Sequence, residues 1–251
     1  MTTALLLHGF TGTPRSWDAT VSLLPVGVFP HPVTLHGHAG VPVPQATFAA
    51  EVERVAALAA DSAPVHLVGY SMGGRVALAL ALSRPELCLG ATLIGVSAGL
   101  RTAEERAARR AADLEWRRLL LEEGLEAFFA AWDAQPLFAT RSALPAPPRA
   151  RHRAERAGHS ARGLASALAT LGLAEMPDLH PALERASVPL TFVAGERDAK
   201  FRATAAALAS LAPGGRCAVV SGAGHDVPTE APGALGAVLA SALARSGALA
   251  P

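Results

Sequence analysis

The sequence predicts an α/β fold, a mostly parallel sheet flanked by helices. Two observations carry this expectation. Short apolar runs that end in glycine or polar turns alternate with helical stretches along the chain. Most of those runs lack period-two alternation, as strands buried on both faces do. With 251 residues the chain is long enough to bury a substantial core. Half of it is apolar and only 17% is charged, which excludes a disordered chain.

In order, the strand candidates are Ala4–Leu7, Val33–Leu35, Val65–Val68, Ala91–Ile94, Leu190–Val193 and Cys217–Val220. Helical patterns lie between them at Phe48–Ala60, Arg75–Ser83, Ala203–Leu211 and Ala234–Ala244. Pro85 and Pro213 fall just past two of these, where helices stop.

One segment breaks the rhythm. From about residue 100 to 173 no strand pattern occurs, and the text is helical, arginine-rich and aromatic. Thr102 followed by Glu105 fits a capping box that opens a helix. The proline-rich stretch Ser142–Arg153 is expected to be a loop between helices. The segment holds 12 of the 22 basic residues against nine acidic ones. The expected organisation is therefore a single domain over 1–251, with a helical lid inserted between strands at about 100–173.

A formal net charge of +1 gives no reason to expect a nucleic-acid partner. Cys88 and Cys217 lie far apart in apolar surroundings and are expected to be buried thiols in a reducing compartment. The run at Ala4–Leu7 is too short for a signal-peptide core, and no apolar stretch is long and uninterrupted enough to span a bilayer. The expectation is a cytoplasmic protein of unspecified oligomeric state. No His/Cys/Asp/Glu cluster has metal spacing and no phosphate-binding glycine loop follows a strand, so neither metal nor cofactor is expected.

Gly69-Tyr70-Ser71-Met72-Gly73 is a G-x-S-x-G element between a strand pattern and a helix pattern, the setting that a nucleophile elbow requires. A second match, Gly95-Val96-Ser97-Ala98-Gly99, also follows a strand but leads into the arginine-rich segment. Ser71 is preferred over Ser97 for that reason. A catalytic serine needs a base and an orienting acid, in the chain order serine, acid, histidine for this arrangement. His152 and His159 lie in the insertion and His180 precedes Pro181, which leaves His225 in a glycine-flanked loop after the last strand. Asp198, in the turn after LTFVA, is the acid of choice over Glu196, and Asp226 should point away from its neighbour. The backbone N–H groups of Phe10 and Met72 are the candidates for an oxyanion hole.

With these parts the chain resembles the α/β-hydrolases. Within that fold it is similar to the family of 2-succinyl-6-hydroxy-2,4-cyclohexadiene-1-carboxylate synthases of menaquinone biosynthesis. The likeness runs through LLLHGFTGTPRSWD, GYSMGGRVAL, AEERAAR, FFAAWDAQPLFA, LATLGLAEMPDL, GERDAKFR and GAGHDVPTEAP. The resemblance implies a lyase that removes a proton from a cyclohexene carboxylate and expels pyruvate in a 2,5-elimination. It implies that Ser71, His225 and Asp198 form the proton-abstracting unit. It further implies substrate carboxylates on Arg75, Arg109 and Arg156, with Tyr70, Trp132 and Phe138 lining the pocket. The partner so implied is a small polyanionic carboxylate.

Elementary chemistry supports part of this. An arginine in the first turn of a helix opposes the macrodipole, so Arg75 needs either an anionic ligand or a surface ion pair to justify it. Arg106 and Arg153 are alternatives to Arg109 and Arg156, and Lys200, the single lysine, serves either the site or the structure beside Asp198. A serine carboxylesterase or C–C bond hydrolase stays open as the other enzymatic reading, and a non-catalytic ligand receptor is a third. The fold usually begins with an antiparallel hairpin, yet few residues precede LLLHG. Either the sheet lacks that edge or the start lies further upstream.

Overall fold

The computed structural model describes residues 1–40, 47–144 and 146–247. Its sheet is built from β1 (Thr2–Leu7), β2 (Val28–Val33), β3 (Val65–Tyr70), β4 (Cys88–Ile94), β5 (Leu190–Gly195) and β6 (Arg216–Val220). These six strands lie in the order β2-β1-β3-β4-β5-β6, and every pairing is parallel. No antiparallel hairpin occurs among the described residues.

The crossovers are helical: α1 (Asp18–Val21), α2 (Phe48–Ala60), α3 (Met72–Ser83), then α4 (Ala103–Glu122), α5 (Gly124–Asp133), α6 (Ala146–Arg156), α7 (Ala161–Leu171) and α8 (His180–Leu183) between β4 and β5. The chain closes with α9 (Ala199–Leu211), α10 (Val227–Glu230) and α11 (Pro232–Arg245).

Alternate strand residues enter two separate cores, which explains why the sequence shows apolar runs without alternation. Leu5, Leu7, Leu67, Leu93 and Phe192 pack with α2, α3 and α9 on one face. Ala4, Leu6, Val68, Ile94 and Val193 pack with Trp17 and with Leu235, Leu239 and Leu243 of α11 on the other. Burying one such leucine contributes about 1.5–3 kcal/mol, so both faces must be covered before the sheet is stable.

Three expectations need correction. The second strand runs over Val28–Val33 rather than Val33–Leu35. Pro30 and Pro32 disguise it, and they are tolerated because this is the outer strand, where a missing N–H can be turned away from the ladder. The stretch Ser142–Arg153 is not a loop, since a 3-10 helix reaches Ala143 and α6 begins at Ala146; Pro145 lies outside the described residues. Pro147 and Pro148 fall in the first turn of α6, whose N–H groups have no intrahelical acceptor to lose. Cys88 is buried as expected, but Cys217 is exposed because β6 is the other edge of the sheet.

The Thr102 expectation is met in detail. Its hydroxyl accepts the Glu105 N–H at 3.1 Å, and Glu105 accepts the Thr102 N–H at 3.1 Å. Replacing Thr102 by Ala is expected to cost about 1 kcal/mol, read as a lower urea midpoint at unchanged slope.

Candidate active site

Ser71 stands where β3 ends and α3 begins, at φ 51° and ψ −109°. A left-handed backbone costs a non-glycine residue about 1–2 kcal/mol, so the turn persists only because its surroundings impose it. Gly73 makes the fit possible. A Cβ there would lie 2.4 Å from the carbonyl oxygens of Leu7 and His8, and its N–H donates to His8 O at 3.1 Å.

From Ser71 one line of polar contacts runs inward. Its Oγ is 3.3 Å from His225 Nε2, and His225 Nδ1 is 2.7 Å from Asp198 Oδ2. His225 and Asp198 are both buried. Asp198 divides its oxygens, Oδ1 accepting the Phe201 N–H at 3.1 Å to cap α9 while Oδ2 faces the imidazole. Burial pushes the Asp198 carboxyl up, but the hydrogen bonds from His225 and Phe201 outweigh it and hold the group below its ordinary value. The ring of His225 lies against Gly95, where a Cβ would come within 2.7 Å of Cε1.

The rivals are occupied elsewhere. Ser97 Oγ accepts the Gly99 N–H at 3.2 Å, inside its own turn. Glu196 is exposed and accepts from Ser221 Oγ at 3.1 Å and Gly222 N at 2.8 Å. Asp226 turns away from Ser71 and accepts from Arg141 Nε at 2.8 Å. His180 bonds to Asp178, and Lys200 lies 5.5 Å from the Phe201 ring. The side chain of His152 lies outside the described residues.

The loop after β1 passes beside Ser71. The Phe10 N–H makes no hydrogen bond among the described residues, and Met72 is the first residue of α3, a position whose N–H has no intrahelical acceptor. The Phe10 ring meets Trp132 edge to face at 5.1 Å, and Trp132 in turn lies 5.9 Å from Phe138. Phe138 and Tyr70 both approach His225, with ring centroids at 6.0 Å and 5.4 Å. The buried indole Nε1 of Trp132 has no partner among the described residues. Burial, then the Asp226 carboxylate, pushes the Tyr70 phenol well above its ordinary value.

The three arginines stand differently. Arg75 is buried at 8% exposure, and its guanidinium has one polar contact among the described residues, the Met176 sulfur at 4.0 Å. Burial, then the positive charge of Arg109, lowers it to about 9, with Asp113 opposing. Arg109 pairs with Asp113 at 3.0 Å, while Arg156 grips Asp133 at 2.6 and 2.8 Å and reaches Thr11 Oγ1 at 3.4 Å. Arg106 donates to the carbonyls of Leu100, Ala174 and Met176. Arg153 lines a cavity of about 940 Å³ within the helical segment, together with Phe129, Phe138, Arg141 and Arg156.

Sequence reasoning missed Arg141 and a group of histidines. Arg141 stacks over Phe138 at 3.9 Å and touches the neighbours of both Ser71 and His225. His8, His38 and His159 pack edge to face beside the Phe10 loop. The cluster of histidines on glycine-flanked turns at 36–38 was the signal available for them.

A family model described as the alpha/beta hydrolase family matches residues 4–238. The chain belongs to the alpha/beta hydrolase family. It is an enzyme of that family, with curated relatives and solved structures that extend over nearly its whole length. A 2-succinyl-6-hydroxy-2,4-cyclohexadiene-1-carboxylate synthase from Salmonella paratyphi C is 35% identical over 91% of this chain and 88% of that protein. The structure of MenH from S. aureus superposes with a TM-score of 0.93 at 27% identity, covering 98% of this chain and 94% of that one. A thermophilic esterase from Thermogutta terrifontis, solved with malate bound, gives a TM-score of 0.83 at 25% identity over 98% and 90% of the two chains. No described helix is long and apolar enough to cross a membrane, and no described group of His, Cys, Asp and Glu could hold a metal ion.

Two outcomes are expected of this geometry. Gly95→Ala drives a methyl group into the His225 ring and places Ala at φ 60°. It should lower kcat at least about 100-fold, the scale lost when a catalytic group is misplaced by an ångström, in a protein that still melts cooperatively. The second concerns acid. Burial lowers His8 and His66 from 6.5 to about 4. Between those values the unfolded chain binds protons that the folded chain does not. The stability from these imidazoles is therefore complete above pH 6.5 and is lost as the pH falls towards about 4, measured as a falling melting temperature.

Proposed function

We propose that this protein is a lyase of menaquinone biosynthesis, a 2-succinyl-6-hydroxy-2,4-cyclohexadiene-1-carboxylate synthase that expels pyruvate from the succinyl-enolpyruvyl cyclohexene carboxylate precursor. One observation carries the reading beyond a generic esterase. Arg75 is buried four residues after Ser71, and no carboxylate pairs with it among the described residues. Burying an unpaired cation costs several kcal/mol, and the start of a helix makes it worse. An anionic substrate restores the balance, and arginine's planar fork suits a carboxylate.

On this reading Ser71, His225 and Asp198 act as one base. Asp198 holds His225 with Nε2 free to take the hydroxyl proton, which makes Ser71 Oγ basic enough to remove the ring C–H proton. The electrons of that bond shift through the ring into the second double bond, and the C–O bond to the enolpyruvyl group breaks. The proton held on His225 is available to the departing group. The Phe10 and Met72 amides face the developing negative charge.

Arg75 anchors one substrate carboxylate. Arg109 and Arg156 supply further positive charge, each shared with the aspartate that it already holds. Tyr70, Trp132 and Phe138 form the walls, with Trp132 Nε1 left to donate to the ligand. The helices between β4 and β5 act as a lid within a single 1–251 domain. The substrate class is a small polyanionic carboxylate, and the reaction calls on no cofactor, nucleic acid or membrane.

The serine-esterase reading keeps one observation in its favour. The strained Ser71 turn and its 3.3 Å approach to His225 would serve an attacking oxygen equally well. Pyruvate release from the precursor decides between them, since an esterase would hydrolyse p-nitrophenyl acetate briskly and release none. Ser71→Ala should abolish pyruvate release, whereas undiminished release would overturn the base assignment. Arg75→Ala should lower kcat/KM for the polyanionic substrate ~100-fold, about 2.7 kcal/mol, with turnover of the neutral ester nearly unchanged. Equal losses on both substrates would make Arg75 structural.

A further inference from the structure

Three non-glycine residues among those described have positive φ: Ser71, Thr11 at 66° and Ala39 at 43°. Ser71 is the elbow already described. The other two meet at one side chain. His159 Nδ1 accepts the Ala39 N–H at 3.1 Å, and its Nε2 lies 3.1 Å from Thr11 O. With Nδ1 accepting, the proton sits on Nε2 and is donated to the Thr11 carbonyl.

Thr11 is held on every polar atom. Its N–H donates to His38 Nε2 at 3.3 Å, its carbonyl accepts from His159, and its hydroxyl accepts from Arg156 Nη2 at 3.4 Å. His38 is itself oriented, because its Nδ1 lies 2.8 Å from His36 O. The turn is closed locally by the Gly12 N–H donating to Gly9 O at 3.0 Å, which puts Thr11 at the position of a β-turn where a positive φ normally calls for glycine or asparagine. A β-branched residue stays there only if its surroundings over-determine the conformation, and they do. Two of the three clamps, Arg156 and His159, come from the lid.

We infer that His159 is a positioning residue, holding the Thr11 and Ala39 turns so that the adjacent Phe10 amide points at the oxygen that develops charge over Ser71. The lid and the oxyanion loop are thereby one mechanical unit, and correct lid docking is felt at the reacting atoms. This rests on the proposed roles of Ser71 and Phe10, but holds for the lyase and the esterase chemistry alike, since both place negative charge at the same amides.

Phenylboronic acid tests it without the natural substrate. The Ser71 hydroxyl adds to boron, an O–B bond forms, the proton passes to His225, and the resulting tetrahedral boronate directs an oxygen at the Phe10 and Met72 amides. His159→Leu should raise the inhibition constant at least tenfold and lower kcat by a similar factor, with KM nearly unchanged. His159→Gln, whose amide can still donate to Thr11 O, should recover most of both. Should the Leu variant fail to fold, His159→Ala is compared with and without added imidazole, and restored boronate affinity is the expected result.

A wild-type protein that binds boronate, with a folded His159→Leu or an imidazole-treated His159→Ala showing no corresponding change, overturns the positioning role alone. A KM effect without a kcat effect overturns it too. A wild-type protein that binds no boronate removes the Ser71–His225–Asp198 reading, and this inference with it.

Discussion

The site depends on one local constraint, the close approach of the α3 N-terminus to the end of β1. Gly73 lies against the Leu7 and His8 carbonyls with no room for a Cβ, and that contact holds Ser71 in its left-handed turn. Because the same contact brings the β1 loop alongside, Gly9 of that loop lies against Ser71, where a Cβ on Gly9 would stand 3.5 Å from the serine Cβ. A looser contact would relax the turn and separate the two. The remaining members arrive from other strand ends along the same edge of the parallel sheet: Asp198 after β5 and His225 after β6.

Among the described residues, the buried Arg75 stands apart from the arginines around it. Arg109, Arg141 and Arg156 each meet an aspartate at hydrogen-bond distance, which offsets the cost of removing them from water. Arg75 lacks such a pair among the described residues, and Arg109 depresses it further. A protein with nothing anionic to bind would gain from an apolar side chain here. The contrast among four arginines of the same chain sets Arg75 apart from three that are already held by aspartates.

The helices between β4 and β5 do more than cover the sheet. Arg156 and His159, on either side of the α6 C-terminus, hold Thr11, while Arg141 links Phe138 to Asp226. Tyr70 and Asp226 each adjoin a member of the Ser71–His225 pair, so the segment touches the site through backbone neighbours as well as through its own aromatic wall. Bracing through such buried polar contacts is stiff because each unpaired partner would carry its full desolvation cost.

Much of this was legible in the residues. Five of the six strands, the elbow at Ser71 and the positions of Asp198 and His225 follow from local patterns: apolar runs, glycine spacing, and carboxylate or imidazole just past a strand end. What stayed hidden was non-local. β2 is not recognisable in the sequence because its prolines suit only an outer strand, and being outermost is a property of the assembled sheet. Cys217 is exposed for the same reason on the opposite edge. In an alanine- and arginine-rich segment, no sequence pattern says which guanidinium finds an aspartate, because the partners of Arg156 and Arg141 lie 23 and 85 residues away. The parallel sheet, five of its strands and the candidate side chains at their ends are readable from the sequence alone, since these rest on short-range sterics and periodicity. That Arg75 is buried with no aspartate against it among the described residues, and that His159 clamps two strained turns, emerges only in three dimensions, because burial and pairing exist only once distant segments have closed upon each other.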